Sequence, residues 1–284
     1  MVFRSRLVLL IRRAALVAPI LAVAGCAQLF FYPTSRQVLT PADLGLAYHD
    51  VWFDAADGTR LHGWFLPAEG TARATIVYLH GNAENISTHI LSVSWLPAAG
   101  YNVFAFDYRG YGLSAGTPSF AGIHMDAEAA FEHVFTLDGV GGRPVAALGD
   151  SLGGSVAITQ LARSSLQERY CMLIVQAGFA GYRRIVEDKL AAFWLTSALR
   201  RPLSAGIDTG FDPADAIGRL PPLPVLILHG DADEVVPLAH GVALYEAAGA
   251  PKDLWVLEGA RHNQALYSPV VRAELLHTLG ERCS

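Results

Sequence analysis

Ala146–Ala147–Leu148–Gly149–Asp150–Ser151–Leu152–Gly153–Gly154 reads as the end of a buried strand, a tight turn and the start of a helix. Gly149, Ser151 and Gly153 within it make G-x-S-x-G, the pattern of a nucleophile elbow. The glycines have a steric reason. Strand and helix approach so closely at such a turn that a side chain at either position would collide with the neighbouring element. Ser151 then stands at the tip with its hydroxyl above the sheet edge. The bland alternative is a glycine-rich loop with a solvated serine. The flanks argue against it: Pro144–Val145–Ala146–Ala147–Leu148 is apolar and strand-like, and Val156 to Arg163 suits a helix.

Working outward, the same alternation recurs. Tyr48–Phe53 and Leu61–Leu66 flank Asp57–Gly58, a hairpin signal. Further strands are expected at Ala74–Leu79, Tyr101–Phe106, Met172–Val175, Val225–Leu228 and Leu254–Leu257. Helices are expected at about 86–98, at 120–135, after Ser151 and at 270–279. Near-continuous apolar strands alternating with helices imply an α/β fold, a mostly parallel sheet covered on both faces. The connection from Ala177 to Pro222 is long and holds Phe179, Tyr182, Phe193, Trp194, Leu195 and Leu203. It leaves the edge where ligands bind in open α/β sheets. The segment at about 178–210 is therefore a candidate lid or pocket wall, or else an ordinary helix on the sheet.

A serine hydroxyl needs a base, and the base a carboxylate that fixes its tautomer. His229–Gly230–Asp231–Ala232–Asp233–Glu234 follows the strand at 225–228, and Gly259–Ala260–Arg261–His262–Asn263 follows the strand at 254–257. Ser151, Asp233 and His262 thus stand in the order nucleophile, acid, base. Asp231, Asp233 and Glu234 crowd one turn, so Asp231 is the alternative acid. The oxyanion donors expected are the backbone N–H groups of Leu152 and of Asn82, in the loop His80–Gly81–Asn82–Ala83–Glu84–Asn85. The loop Asp107 to Gly116 lacks a dinucleotide pattern. Its expected role is to buttress the oxyanion loop through Arg109 or Asp107.

Composition bounds the rest. Hydrophobic residues make up 52% of 284 and charged residues 17%, enough for a large core, and the formal charge is −5. An acidic domain without basic stretches argues against nucleic acid as a partner. The first 26 residues hold Arg4, Arg6, Arg12 and Arg13 and no acid, followed by an apolar run from Ala14 to Gly25. That run suits a signal-peptide core and is short for a membrane span. Cys171 and Cys283 are free to pair, although nothing in their spacing requires it, and there is no C-x-x-C.

Two resemblances add to this. Val23–Ala24–Gly25–Cys26 resembles a bacterial lipobox, which implies lipidation at Cys26. It divides the chain into a signal peptide (1–25), a lipidated linker (26–36) and a catalytic domain (37–284). Ala27 after the cysteine implies the outer membrane of a bacterial envelope. From about Phe31 to Leu279 the chain resembles α/β-hydrolases of the small-lid type, including the Bem46-like hydrolases and membrane-associated mammalian relatives. The matching pieces are His80–Gly81–Asn82–Ala83–Glu84–Asn85, Asp107–Tyr108–Arg109–Gly110–Tyr111–Gly112, Gly149 to Gly154, Phe211–Asp212, and His229–Gly230 with Asp233 and Val236–Pro237. The resemblance implies an α/β-hydrolase fold with a short lid insertion, Asp233 as the triad acid, and a serine acyl hydrolase needing no metal or organic cofactor. A serine at the elbow sets it apart from the dehalogenases and epoxide hydrolases of this fold. Carboxylic esters with small or lipid-like acyl groups are the first expectation. Thioesters including acylated proteins, then peptides, are alternatives, as is a non-enzymatic envelope binding protein. One departure stands out. Members of the family often have a Ser/Pro-rich turn where this chain has Gln176–Ala177–Gly178–Phe179.

Overall fold

The computed structural model describes residues 30–192 and 194–283. The signal-peptide and Cys26 expectations lie outside the described residues. Eight strands form one sheet: β1 His49–Asp54, β2 Arg60–Leu66, β3 Ala74–Leu79, β4 Tyr101–Phe106, β5 Val145–Asp150, β6 Tyr170–Gln176, β7 Val225–Gly230 and β8 Lys252–Leu257. Their order is β8-β7-β6-β5-β3-β4-β2-β1. The β1–β2 and β2–β4 pairs are antiparallel and the remaining pairs parallel.

Burial explains why these residues make these strands. Every residue of β3, β4, β5 and β7 is buried, which requires runs apolar on both faces. On the outer strand β1 only Val51 and Phe53 are buried, so the pattern alternates. Successive residues of a strand serve opposite layers. Val77 and Leu79 join a core with Phe104, Ile123, Phe131, Val156 and Val175. Ile76 and Tyr78 join a second with Val103, Leu148, Ile174, Leu266 and Leu275.

The helices are α1 Ile86–His89, α2 Phe120–His133, α3 Leu152–Leu161, α4 Tyr182–Ala192, α5 Trp194–Ser197, α6 Arg200–Ser204, α7 Pro213–Ile217, α8 Leu238–Ala247 and α9 Pro269–Arg282. The helix expected over 86–98 is broken. Asn85 caps α1 by accepting from Ser87 N at 2.9 Å, but after one turn the chain passes into 3-10 turns at Ile90–Ser92 and Pro97–Ala99. Ser94 Oγ donates to Leu91 O and Trp95 Nε1 to Ser92 O, side-chain bonds that compete with the helical ladder, and Pro97 has no N–H to continue it. Cys171 and Cys283 form a disulfide that staples β6 to the end of α9 across 112 residues.

Register places the loops. Leu79 pairs with both Phe106 and Gly149, Gly149 with Val175, and Gln176 with Leu228. The parallel strands therefore end level, and the segments after residues 79, 106, 150, 176, 230 and 257 emerge along one edge.

Candidate active site

Ser151 sits between β5 and α3 with φ 54° and ψ −111°. A Cβ on Gly149 would run into the backbone of Gly153 and Gly154, and one on Gly153 into the carbonyl of Leu79. Both glycines are thus demanded by close approach. Among the described residues, the non-glycine residues at positive φ are Glu84, Ser151, Ala177 and Asn263. Each lies in a segment leaving the same sheet edge. Backbone strain of this kind persists only where the surroundings over-determine it, and it concentrates at functional sites.

The loops after β7 and β8 bring a carboxylate to a histidine. Asp233 Oδ2 lies 2.7 Å from His262 Nδ1. Asp233 Oδ1 accepts from the N–H groups of Val235 and Val236, each at 2.8 Å. Burial pushes this carboxyl up, but the His262 hydrogen bond and the two N–H donors outweigh it and leave Asp233 below its usual range. With Nδ1–H given to Asp233, Nε2 of His262 keeps its lone pair. Asp231 is engaged elsewhere: its Oδ1 accepts from Gly259 N at 2.7 Å and braces the turn before His262. The Ser151 hydroxyl, in a residue 8% exposed, makes no hydrogen bond to His262 among the described residues. Catalytic hydrogen bonds are often long until substrate arrives.

Gln176, singled out only as a departure, links the two halves of this arrangement. Its Nε2 donates to Asp150 Oδ1 at 2.8 Å, and its Oε1 accepts from Leu266 N at 2.9 Å. Tyr78 Oη donates to the other Asp150 oxygen at 2.7 Å. Asp150 is wholly buried, and burial pushes its carboxyl up. A chain of side chains therefore runs from the residue before Ser151 to the segment that follows His262. No sequence pattern signals it, because the partners meet only when β5, β6 and the loop after β8 are assembled.

The loop after β3 is pinned from several sides. His80 is fully buried, its Nδ1–H donates to Gly81 O at 2.7 Å, and its ring lies 4.6 Å from that of Tyr108. Burial holds its pKa well below the usual value, so it is a neutral support. Asp107 Oδ1 accepts from Ile86 N at 2.8 Å, just past this loop. Burial raises Asp107 to about 7, with the N–H groups of Ile86 and Leu113 offsetting part of the rise. Of the two expected buttresses, Asp107 alone acts on the loop. Arg109 binds Asp126 at 2.8 Å and Asp57 at 2.8 Å, tying the β1–β2 turn to α2. Asn82 is held by its side chain: Nδ2 donates to Phe30 O at 2.5 Å, and Oδ1 accepts from Tyr111 Oη at 2.9 Å. The N–H groups of Asn82 and Leu152 donate to no other protein group among the described residues. Leu152 is at the first turn of α3, where N–H groups have no intrahelical partner.

Residues 30–33, read as part of the linker, pack on this edge. Tyr32–Pro33 pairs in parallel with Ala83–Glu84. Phe31 is buried, and the Phe30 ring lies within 6.3 Å of the rings of Phe120, Phe179 and Tyr182. A cavity of about 510 Å³ opens beside His262, lined also by Glu84, His89, Ser92, Asn263 and Tyr267. Another of about 560 Å³, lined by Tyr170, Pro224 and Pro251, opens at the amino ends of the strands, away from Ser151.

The family model Hydrolase_4, described as serine aminopeptidase S33, matches residues 70–203. An uncharacterised protein of Escherichia coli K12, YfhR, is 35% identical over 242 residues, covering 83% of this chain and 80% of that protein. The α/β-hydrolase domain-containing protein WAV2 of Arabidopsis thaliana is 33% identical, covering 75% of this chain and 70% of its own. The chain belongs to the α/β-hydrolase family. Protein bem46 of Schizosaccharomyces pombe is a further relative, 30% identical, with 76% of this hydrolase and 71% of that protein covered. Among solved structures, the Pyrococcus furiosus esterase Pf2001 superposes on this hydrolase with a TM-score of 0.69 at 24% identity, covering 89% of this chain and 96% of the other. Acetyl xylan esterase 1 from Thermoanaerobacterium superposes at 0.66 with 20% identity, covering 84% of each. At those identities the superpositions establish the fold.

Proposed function

We propose that this hydrolase is a serine acyl hydrolase, foremost a carboxylic ester hydrolase, with Ser151 as nucleophile, His262 as base and Asp233 as the acid that orients it. The observation that carries the reading is the 2.7 Å contact of Asp233 with His262 Nδ1, beside a serine held at φ 54° at the elbow. His262 Nε2 removes the Ser151 proton as Oγ attacks the acyl carbonyl. Asp233, acceptor-only below its usual pKa range, fixes the tautomer and stabilises the imidazolium. The N–H groups of Asn82 and Leu152 receive the oxyanion. His262 then protonates the leaving alcohol, and water activated by the same nitrogen releases the acid from the acyl-enzyme.

Ester substrates are favoured by the apolar side chains of the lid segment and by the esterases among proteins of the same fold. The aminopeptidase description of the family model supports a peptidase as the second reading. We also propose that Cys26 carries a lipid anchor to the outer membrane. The lipobox-like sequence supports this, as does the Cys171–Cys283 disulfide, a bond that persists in oxidising compartments such as the periplasm.

The test is turnover of nitrophenyl esters from acetyl to palmitoyl, beside Ser151→Ala. Turnover with an acyl-length optimum, abolished in the variant, is the expected result. Activity on peptide nitroanilides with none on any ester would favour the second reading.

A further inference from the structure

The candidate lid also carries exposed cationic and apolar side chains that take part in none of the proposed chemical steps. Between Tyr182 and Ser204 there are five cationic residues and two acidic ones, in a chain of formal charge −5. Both acids are bonded within the fold: Glu187 accepts from Ser204 Oγ at 2.7 Å, and Asp188 pairs with His240 at 2.9 Å. Arg184, Lys189, Arg200 and Arg201 are exposed. The same segment exposes large apolar side chains: Trp194 at 78%, Leu195 at 56%, Leu199 at 54% and Leu203 at 49%. Leu195 lies on α5, Leu199 in the turn that follows it and Leu203 on α6. A cluster of this kind marks an interaction site. Lys189 Nζ also donates to Glu234 O at 3.0 Å, which ties α4 to the loop that carries Asp233.

Its position says what it meets. The Tyr182 ring, at the start of α4, lies 5.6 Å from that of Phe30, whose carbonyl is bound by Asn82 of the oxyanion loop. Phe30 is four residues beyond Cys26. Four residues span at most about 14 Å. A membrane anchor at Cys26 therefore brings the sheet edge that bears Ser151, and the lid with it, to the bilayer surface. There the exposed arginine and lysine side chains match anionic headgroups, and the exposed aliphatic and indole groups of the same segment match acyl chains.

We infer that α5 and α6, with Arg184, Lys189, Arg200 and Arg201, form a docking surface for an anionic phospholipid leaflet, so that the edge above Ser151 faces the membrane and draws acyl substrates from it. The orientation rests on the proposed anchor, and the choice of substrate also rests on the proposed hydrolase activity. The acidic remainder of the molecule is repelled by the same surface, which leaves the lid as the face presented.

The test uses the full chain reconstituted in vesicles of phosphatidylglycerol and phosphatidylethanolamine whose acyl chains carry bromine, with tryptophan emission as the readout. Bromolipid quenching in the wild-type protein is expected to exceed that in Trp194→Phe. It is expected to fall at least two-fold in Leu195→Ser/Leu199→Ser/Leu203→Ser and in Arg200→Gln/Arg201→Gln, variants whose folding is checked by their melting temperatures. Quenching of Trp194 that is undiminished in phosphatidylcholine vesicles would overturn the anionic assignment. No quenching of Trp194, or its shielding with rising protein concentration in the absence of vesicles, would overturn membrane docking, the latter in favour of a second copy. The readout requires no turnover, so a protein that quenches without hydrolysing refutes the hydrolase reading alone.

Discussion

At the residue scale, the site turns on which groups are already occupied. Asp231 and Asp233 share one turn, yet only Asp233 reaches His262, while Asp231 bonds to Gly259 N. Asp233→Asn is therefore expected to lower kcat by about 10⁴-fold, as loss of the tautomer-fixing carboxylate does in serine triads. Asp231→Asn is expected to leave kcat within a few-fold and to lower stability by about 1 kcal/mol, since only a brace is weakened. Steady-state kinetics and denaturant unfolding of both variants check this. Asp107 gives a prediction in pH. Its carboxyl is raised to about 7 by burial, against 3.8 for an aspartate in water. Between those values the folded chain holds a proton that the unfolded chain has lost. Stability therefore falls as pH rises from about 4 to 7 and levels off above. Asp107→Asn should lack this fall, which unfolding curves measured across the window would reveal.

At the scale of elements, legibility followed burial. The central strands could be read because burial on both faces demands continuous apolar runs, and the elbow because Gly149 and Gly153 are imposed by contact with their neighbours. The helix at 86–98 was misread because serine side chains and Pro97 broke a ladder that apolar spacing alone favours. The part played by Gln176 was not readable at all, since Asp150 and Leu266 lie 26 and 90 residues away from it. Gln176→Leu removes that link and strands the buried Leu266 N–H and one Asp150 oxygen. The expected loss is about 1–3 kcal/mol of stability for each group left unpaired. kcat should fall further than KM rises, because the histidine loop loses its tie to the elbow; unfolding and steady-state kinetics on a nitrophenyl ester test both. Arg109 was expected to steady the oxyanion loop and instead joins the β1–β2 turn to α2. Arg109→Ala leaves Asp126 buried without its cation, keeping only the N–H of residue 109, and is expected to cost about 3 kcal/mol in unfolding experiments.

At the scale of the whole molecule, net charge concealed a local asymmetry. A chain of −5 gains little from anionic lipid as a whole, yet its segment from Tyr182 to Ser204 is cationic and exposes apolar side chains. Long-range covalent structure was likewise hidden: the spacing of Cys171 and Cys283 did not require the bond that the fold brings about. Closing a loop of about 100 residues constrains the unfolded chain, so Cys171→Ala/Cys283→Ala is expected to lose about 2–5 kcal/mol, read as a lower melting temperature without loss of ester turnover at 25 °C.

The central claim is that Ser151 is a nucleophile activated by His262. Fluorophosphonate labelling of the full chain, with peptide mass spectrometry to locate the adduct, tests it most directly. The account predicts a single adduct on Ser151, slowed by a competing ester and absent from both Ser151→Ala and His262→Ala. An adduct on another residue, or labelling of Ser151 at an undiminished rate in His262→Ala, would contradict it.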